Sequence, residues 1–236
     1  MTKIILFISF LLLIFKSQLY GQWYPNPEAV ISYSSDTSNF RTYYYPNEKD
    51  KLGELIYDDE KLISATYYYK NGDEVPNSSF KNGNGKLNSF GYGVYPKKSK
   101  KNGCYGNFTN GLPDGKFQCY LKDKLVSEYS YNKGMANGNC KRYTTKGVLT
   151  EESNYKNDSL DGVYRMYSDK SEILLECYYK DNKLHGKWKS YFFGILIEEK
   201  NYKEGLLDGD LILYNNDGSI SKTEFYIQGK KRRKKK

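Results

Sequence analysis

The stretch Tyr179-Lys-Asp-Asn-Lys-Leu-His-Gly186-Lys-Trp188-Lys-Ser-Tyr191 decides the fold, because the chain writes it again and again. An aromatic residue is followed seven places later by glycine in Phe108/Gly115, Tyr131/Gly138, Tyr155/Gly162, Tyr179/Gly186 and Tyr202/Gly209. Five places after each glycine stands a tyrosine: Tyr120, Tyr143, Tyr167, Tyr191 and Tyr214. The glycines lie 23, 24, 24 and 23 residues apart (138−115, 162−138, 186−162, 209−186). A period of this length predicts a row of small stacked units rather than one closed globule.

Within one unit, Tyr179 to Gly186 has the polar, glycine-ended composition of a turn. Lys187 to Tyr191 then alternates like a strand with one wet face, Phe192-Phe193-Gly194 closes it, and Ile195 to Tyr202 runs back. In the next unit the closing position reads Asn215-Asn216-Asp217-Gly218, and Asp-Gly between two such runs signals a hairpin. Two places after each glycine stand Phe117, Cys140, Tyr164, Trp188 and Leu211, all packable. Gln118, Lys141, Arg165, Lys189 and Ile212 follow them and are mostly polar. The framework aromatics are therefore expected in the core of an antiparallel sheet with one solvated face. One hairpin buries too little to stand alone, so each unit needs its neighbours. The expected fold is all-β: an elongated single-layer antiparallel meander of tandem hairpin repeats about 23–24 residues long.

Tyr202-Lys-Glu-Gly-Leu-Leu-Asp-Gly209 and Lys183-Leu-His-Gly-Lys-Trp-Lys-Ser-Tyr191 resemble the MORN repeat (membrane occupation and recognition nexus). The likeness is closest to its bacterial variant, whose members are often labelled antitoxin components of toxin–antitoxin pairs. It covers Phe108 to Gly229 well and implies the hairpin-repeat fold. It also implies a scaffold that binds proteins or associates with lipid, without shared catalytic residues.

In chain order, residues 1–21 predict a signal peptide: Lys3 precedes the apolar run Ile4–Phe15, too short for a membrane span, and the mature chain would start at Gln22. An uncleaved anchor is the rival reading. Residues 22–103 read as a cap with two or three degenerate repeats, marked by Tyr45 and Tyr69, Gly53 with Leu55, and Gly85 with Leu87 and Phe90. Residues 104–229 form the regular array, and 230–236 a basic tail. The net charge of +9 lies in Lys3, Lys16 and the seven tail residues, so 22–229 is neutral (9 − 2 − 7 = 0). That distribution argues against sequence-specific nucleic-acid binding. Lys230–Lys236 reads as a disordered, solvated end, with contact to an anionic surface as the alternative.

His185 is the sole histidine and takes the place of Asp114, Asn137, Asp161 and Asp208 before the glycine, a row of turn residues. Nothing suggests a nucleophilic triad, a metal site or a cofactor, so the expectation is a non-enzyme. Asn77, Asn107 and Asn157 begin N-x-Ser/Thr triplets. Cys119 and Cys140, two strands apart, should not bond, and for Cys104 and Cys119 buried free thiols are the preferred state. The register allows one candidate disulfide: if Phe108 opposes Gly115, Cys104 opposes Cys119 (104 + 119 = 108 + 115). The same rule puts Cys140 opposite Tyr129 and Cys177 opposite Trp188, where no thiol waits.

The leading functional expectation is an exported, non-enzymatic scaffold that holds a protein or envelope component against its aromatic-rich sheet. The alternative is an antitoxin that sequesters a partner toxin, for which an export signal would be useless. A glycan-processing enzyme is the third option and would need a pair of facing carboxylates.

Overall fold

The computed structural model describes residues 40–44, 50–58, 61–76, 80–89 and 103–233. The expected export segment 1–21, the expected start at Gln22, and Tyr45, Asn77, Phe90 and Lys234–Lys236 lie outside the described residues. The described chain is all-β, without a helix, and consists of consecutive antiparallel hairpins as the repeat predicted. It falls into two compact units: one holds the described residues up to Leu112 with Cys119–Asp123, the other Pro113–Gln118 and Lys124 onward.

In the first unit β1 (Phe40–Tyr44), β2 (Lys51–Asp58) and β3 (Lys61–Tyr67) form a three-stranded sheet. Its core is Leu52, Leu55, Leu62, Ala65 and Tyr67. Gly53 pairs with Tyr67, and a Cβ at Gly53 would stand 2.8 Å from that ring, so the glycine is where the tyrosine lies down. Leu55, two places on, is buried, which is the repeat rule in degenerate form. β4 (Gly85–Ser89) pairs with β5 (Gly103–Thr109), setting Gly85 opposite Phe108. The turn at Asn110-Gly111 is held by Leu62 N–H donating to Gly111 O (3.0 Å) and Gly111 N–H to Gly83 O (2.7 Å). A side chain at Gly111 would meet Lys61 Cβ at 2.7 Å, so only glycine fits there. β6 (Leu112–Leu121) is divided between the units. Cys104 and Cys119 form a disulfide with their Cα atoms 3.9 Å apart. This corrects the preference for free thiols at Cys104 and Cys119: the expected register set them opposite one another in adjacent strands, close enough to bond. Cys140 and Cys177 are free and buried.

In the second unit the strands pair in chain order except for the short β8, which pairs with β7 beside the main path. They are β7 (Lys124–Asn132), β8 (Met135–Ala136), β9 (Gly138–Tyr143), β10 (Leu149–Lys156), β11 (Ser159–Tyr167) and β12 (Ile173–Lys180). Then come β13 (Lys183–Phe192), β14 (Ile195–Lys203), β15 (Leu206–Tyr214), β16 (Ile220–Ile227) and β17 (Lys230–Arg232). β17 corrects the expectation of a disordered basic tail for its first three residues.

The expected turn from Tyr179 to Gly186 is much tighter. Only Asp181 and Asn182 turn, both at positive φ (47° and 64°), and β13 already begins at Lys183. Asn157-Asp158 does the same one unit earlier (47° and 64°). Asn and Asp tolerate this left-handed conformation, and such primed turns match the twist of the flanking strands. At Asn215–Gly218 glycine alone takes positive φ, and Gly218 N–H donates to Asn215 O at 3.0 Å, so this Asp-Gly closes a longer turn.

The repeat glycines sit inside the sheet rather than at its turns. Tyr155 opposes Leu160 and Ser153 opposes Tyr164, so Asp161-Gly162-Val163 bulges opposite Asn154 alone. Gly162 has φ 121°, and a Cβ there would meet Asn154 Cβ at 3.0 Å. On its other side Gly162 pairs with Tyr179 of the following unit, as Gly138 pairs with Tyr155, Gly186 with Tyr202 and Gly209 with Tyr226. Beyond the bulge the expected register resumes, with Cys177 opposite Trp188.

Candidate interaction faces of the repeat array

The pairings define two rungs that cross the second unit from strand to strand. On the inner face, Cys140, Ser153, Tyr164, Cys177, Trp188, Lys200, Leu211 and Glu224 are successive partners. Tyr131, Tyr155 and Tyr179 lie on this face and are buried. Phe117, with 0% exposure, meets Tyr131 edge-on at 5.4 Å, and Tyr164 meets Tyr179 at 5.9 Å. Tyr164, Cys177 and Tyr179 form a core with Leu160, Met166, Leu175, Leu184 and Trp188 packed on it. Burial raises the thiols, Cys140 to about 11 and Cys177 to about 12, so both are inert, structural sulfurs.

The opposite face corrects the expectation that all framework aromatics are core. Positions two and five after the glycine differ by an odd number, so they point to opposite sides of the sheet. Tyr143, Tyr167, Tyr191 and Tyr214 are half-buried beside the second rung: Glu128, Lys141, Glu152, Arg165, Glu176, Lys189 and Glu199. Charge alternates at every step, and opposite charges on directly facing residues stabilise a sheet. Arg165 Nε stands 2.6 Å from Glu176 Oε2, and Lys141 Nζ 3.4 Å from Glu152 Oε1. The tyrosine hydroxyls donate into the same carboxylates, Tyr143 to Glu128 (3.0 Å) and Tyr167 to Glu152 (3.2 Å). Tyr68 makes the same bond to Glu54 (2.8 Å) in the first unit. Burial would raise Glu128, but hydrogen bonds from Lys116, Gln118 and Tyr143 outweigh it and hold its carboxyl below the usual range. Burial first, then the bond to Glu128, pushes Tyr143 up to about 12. Glu128 and Tyr143 are thus held in their ordinary charge states.

A third feature is the lateral edge where Lys133-Gly134, Asn157-Asp158, Asp181-Asn182, Glu204-Gly205 and Gln228-Gly229 turn. Each turn reaches back to the residue two before the preceding glycine. Asp158 N–H donates to Ala136 O (2.9 Å), Asn182 to Leu160 O (2.9 Å), Gly205 to Leu184 O (2.8 Å) and Gly229 to Leu207 O (2.8 Å). Asp158 and Asn182 side chains accept the return bonds from Ala136 N–H (2.6 Å) and Leu160 N–H (2.8 Å). His185 belongs to this seam, with Nδ1 3.5 Å from Glu204 Oε1, and Asp114 accepts from Lys133 N–H at 3.4 Å. Asp114, Asn137 and His185 of the pre-glycine polar row therefore reach the next hairpin, and the row is not itself a turn. The only signal for the seam in the sequence is the Pro113, Ala136, Leu160, Leu184, Leu207 series, which periodicity alone did not single out.

One cluster is unlike the rest. Glu151 and Arg142 lie on the inner face with Oε2 and Nη1 3.9 Å apart, and Glu151 is buried. Burial raises its carboxyl, with Arg142 and a hydrogen bond from Tyr164 offsetting only part. Of the sequons, Asn107 lies exposed on β5, and Asn157 lies exposed at positive φ in its turn. No group of three or more His, Cys, Asp or Glu among the described residues is placed to hold a metal ion. No protein-family model matches the sequence, and no curated protein is significantly similar to it.

Proposed function

We propose that this chain is a non-enzymatic scaffold of the MORN-repeat kind, exported by its first residues, that binds a protein or envelope component through its aromatic-rich sheet. The observation that carries the reading is the change along the inner face. Its framework rings Phe117, Tyr131, Tyr155, Tyr164 and Tyr179 are buried, whereas Trp188, Tyr202, Leu211, Leu213 and Tyr226, which follow them along the same face, are only partly buried. Aromatic side chains presented on a rigid sheet bring large contact area at little entropic loss, which is what recognition needs. The paired state of the carboxylates and phenols on the other face favours a structural role for them over proton transfer.

The test is capture of partners from the protein's own cells by chain 22–236, alongside Leu211→Glu, a change on the half-open face. A partner retained by the parent chain and lost by Leu211→Glu, together with an N-terminus at Gln22, supports the reading. Retention of every partner by the variant would remove the sheet from the account. A soluble cytoplasmic protein that still carries Met1 and co-purifies with a toxin would replace this reading with the antitoxin one.

A further inference from the structure

Strand β17 is hydrogen-bonded to β16 alone among the described residues, so its outer backbone edge has no strand beside it. An uncovered edge presents N–H and C=O groups to any strand that can approach. This one is screened by charge. Lys230, Lys231 and Arg232 are exposed along it, and Arg233 follows. Successive strand residues project to opposite sides, so both faces of the edge are cationic.

The carboxylate that Lys231 reaches is already saturated. Glu224 receives Lys222 Nζ at 2.7 Å, Lys231 Nζ at 2.6 Å and the Tyr226 hydroxyl at 2.6 Å. These bonds pull its carboxyl down to about 2. Lys230, Arg232 and Arg233 have no carboxylate partner among the described residues. Ile227 and Leu206 lie exposed beside them at the last lateral turn.

We infer that β17 is a docking edge for an extended acidic segment of another protein, taken up by strand pairing. A second copy of this edge would bring lysine against lysine, which disfavours self-association by this route. A neutral strand would leave the cations uncompensated. A strand that sets carboxylates along one face, against Lys230 and Arg232, satisfies the backbone edge and those charges together, which is strand addition with electrostatic selection. The site is separate from the half-open inner face, so either can fail alone.

The test uses the full chain and a fluorescent peptide of alternating Thr and Glu. Three comparison probes are the same peptide N-methylated at every second residue, a Thr-Lys peptide, and inorganic polyphosphate as competitor. The expected result is binding of the Thr-Glu peptide, weakened at least about tenfold by N-methylation, which keeps the charge and removes backbone pairing. Amide exchange at Lys230–Arg232 should slow in the complex. Lys230→Glu combined with Arg232→Glu should transfer the preference to the Thr-Lys peptide. Equal binding of the N-methylated peptide, or displacement by polyphosphate without change in amide exchange, would reduce the edge to a plain polyanion patch and overturn the proposal. Unchanged Thr-Glu binding by the double variant would overturn it too, as would Thr-Glu binding without slowed exchange in the parent chain.

Discussion

Strands β7–β12 and strands β13–β17 carry one repeat in one register, yet their inner faces differ. In the first set the rung runs Cys140, Ser153, Tyr164, Cys177, with small residues flanking a ring, and all four are buried. In the second set the positions of Ser153 and Cys177 are taken by Lys200 and Glu224. A small side chain lets neighbouring rings lean over and meet. A long charged one reaches across its neighbours to an ionic or hydrogen-bonding partner and holds the rings apart. Lys200 shows how: its Nζ stands 4.3 Å from the centre of the Trp188 ring and 2.9 Å from Glu198. The repeat therefore sets pairing and side, while the residue two before each tyrosine sets whether the face closes.

The strongest way to break this comparison is to exchange that residue. Cys177→Lys would push an uncompensated charge into the closed rung and should destabilise by more than about 4 kcal/mol. Lys200→Ser removes a part-buried ion pair and one cation–ring contact and should change stability by only about 1 kcal/mol. Chemical denaturation of both variants decides it, and similar losses would mean that the rung does not control closure. Next in size is removal of the rings themselves. Tyr164→Ala should cost about 3–5 kcal/mol, and half-buried Trp188→Ala about 2–3. Lys189→Ala on the other face, 3.9 Å from Glu199, should cost under about 0.5.

The glycines sharpen the same contrast. Gly162→Ala combines positive φ with a Cβ pressed on Asn154, whose Nδ2 also donates to Val163 O at 3.1 Å. Gly186→Ala has the φ problem alone, with open space around it. The expected losses are about 2–3 and about 1 kcal/mol, read from melting curves. Equal losses would assign the glycines a purely conformational role.

How much of this could be read beforehand follows from which physics repeats. Period-two alternation and the tyrosine–glycine spacing gave hairpins, their order and the opposition of Cys177 to Trp188. The thiol state was misjudged for Cys104 and Cys119 alone, because strain in cross-strand disulfides and the risk of a one-residue slip were weighed above the register that set them opposite. The turn was drawn too wide because polarity marks Lys183 to Gly186 as loop, whereas the bulge opposite Tyr178 keeps those residues in the strand. The two-sided placement of tyrosines was legible in the odd spacing of positions two and five, but aromatic character pointed to core. The alternating charge rung was half visible: the cations at 141, 165 and 189 were noted, and their partners Glu152, Glu176 and Glu199, on neighbouring strands, needed the register. The graded closure of the inner face needed both rungs at once.

The smallest effect concerns Glu151, the carboxylate of the closed half that has no counterpart on the charge rung. Its neighbours on adjacent strands are Arg142 and Cys140 on β9 and Tyr164 on β11. Because burial raises its pKa, folding favours the protonated form. That contribution is complete below the ordinary glutamate range and is lost as pH rises through the raised value. Glu128 and Glu152, both lowered by their partners, behave oppositely: their contribution is present at neutral pH and is lost as pH falls through their depressed values. Glu151→Gln keeps the shape and abolishes only the first term. Its stability relative to the parent should therefore rise from about pH 4 toward pH 7, by less than the glycine effects. Glu152→Gln should show the opposite slope. If melting curves across that range give parallel slopes for the two variants, the buried pair on the inner face and the charge rung are electrostatically alike, and the division of the sheet into a closed apolar side and a paired ionic side fails.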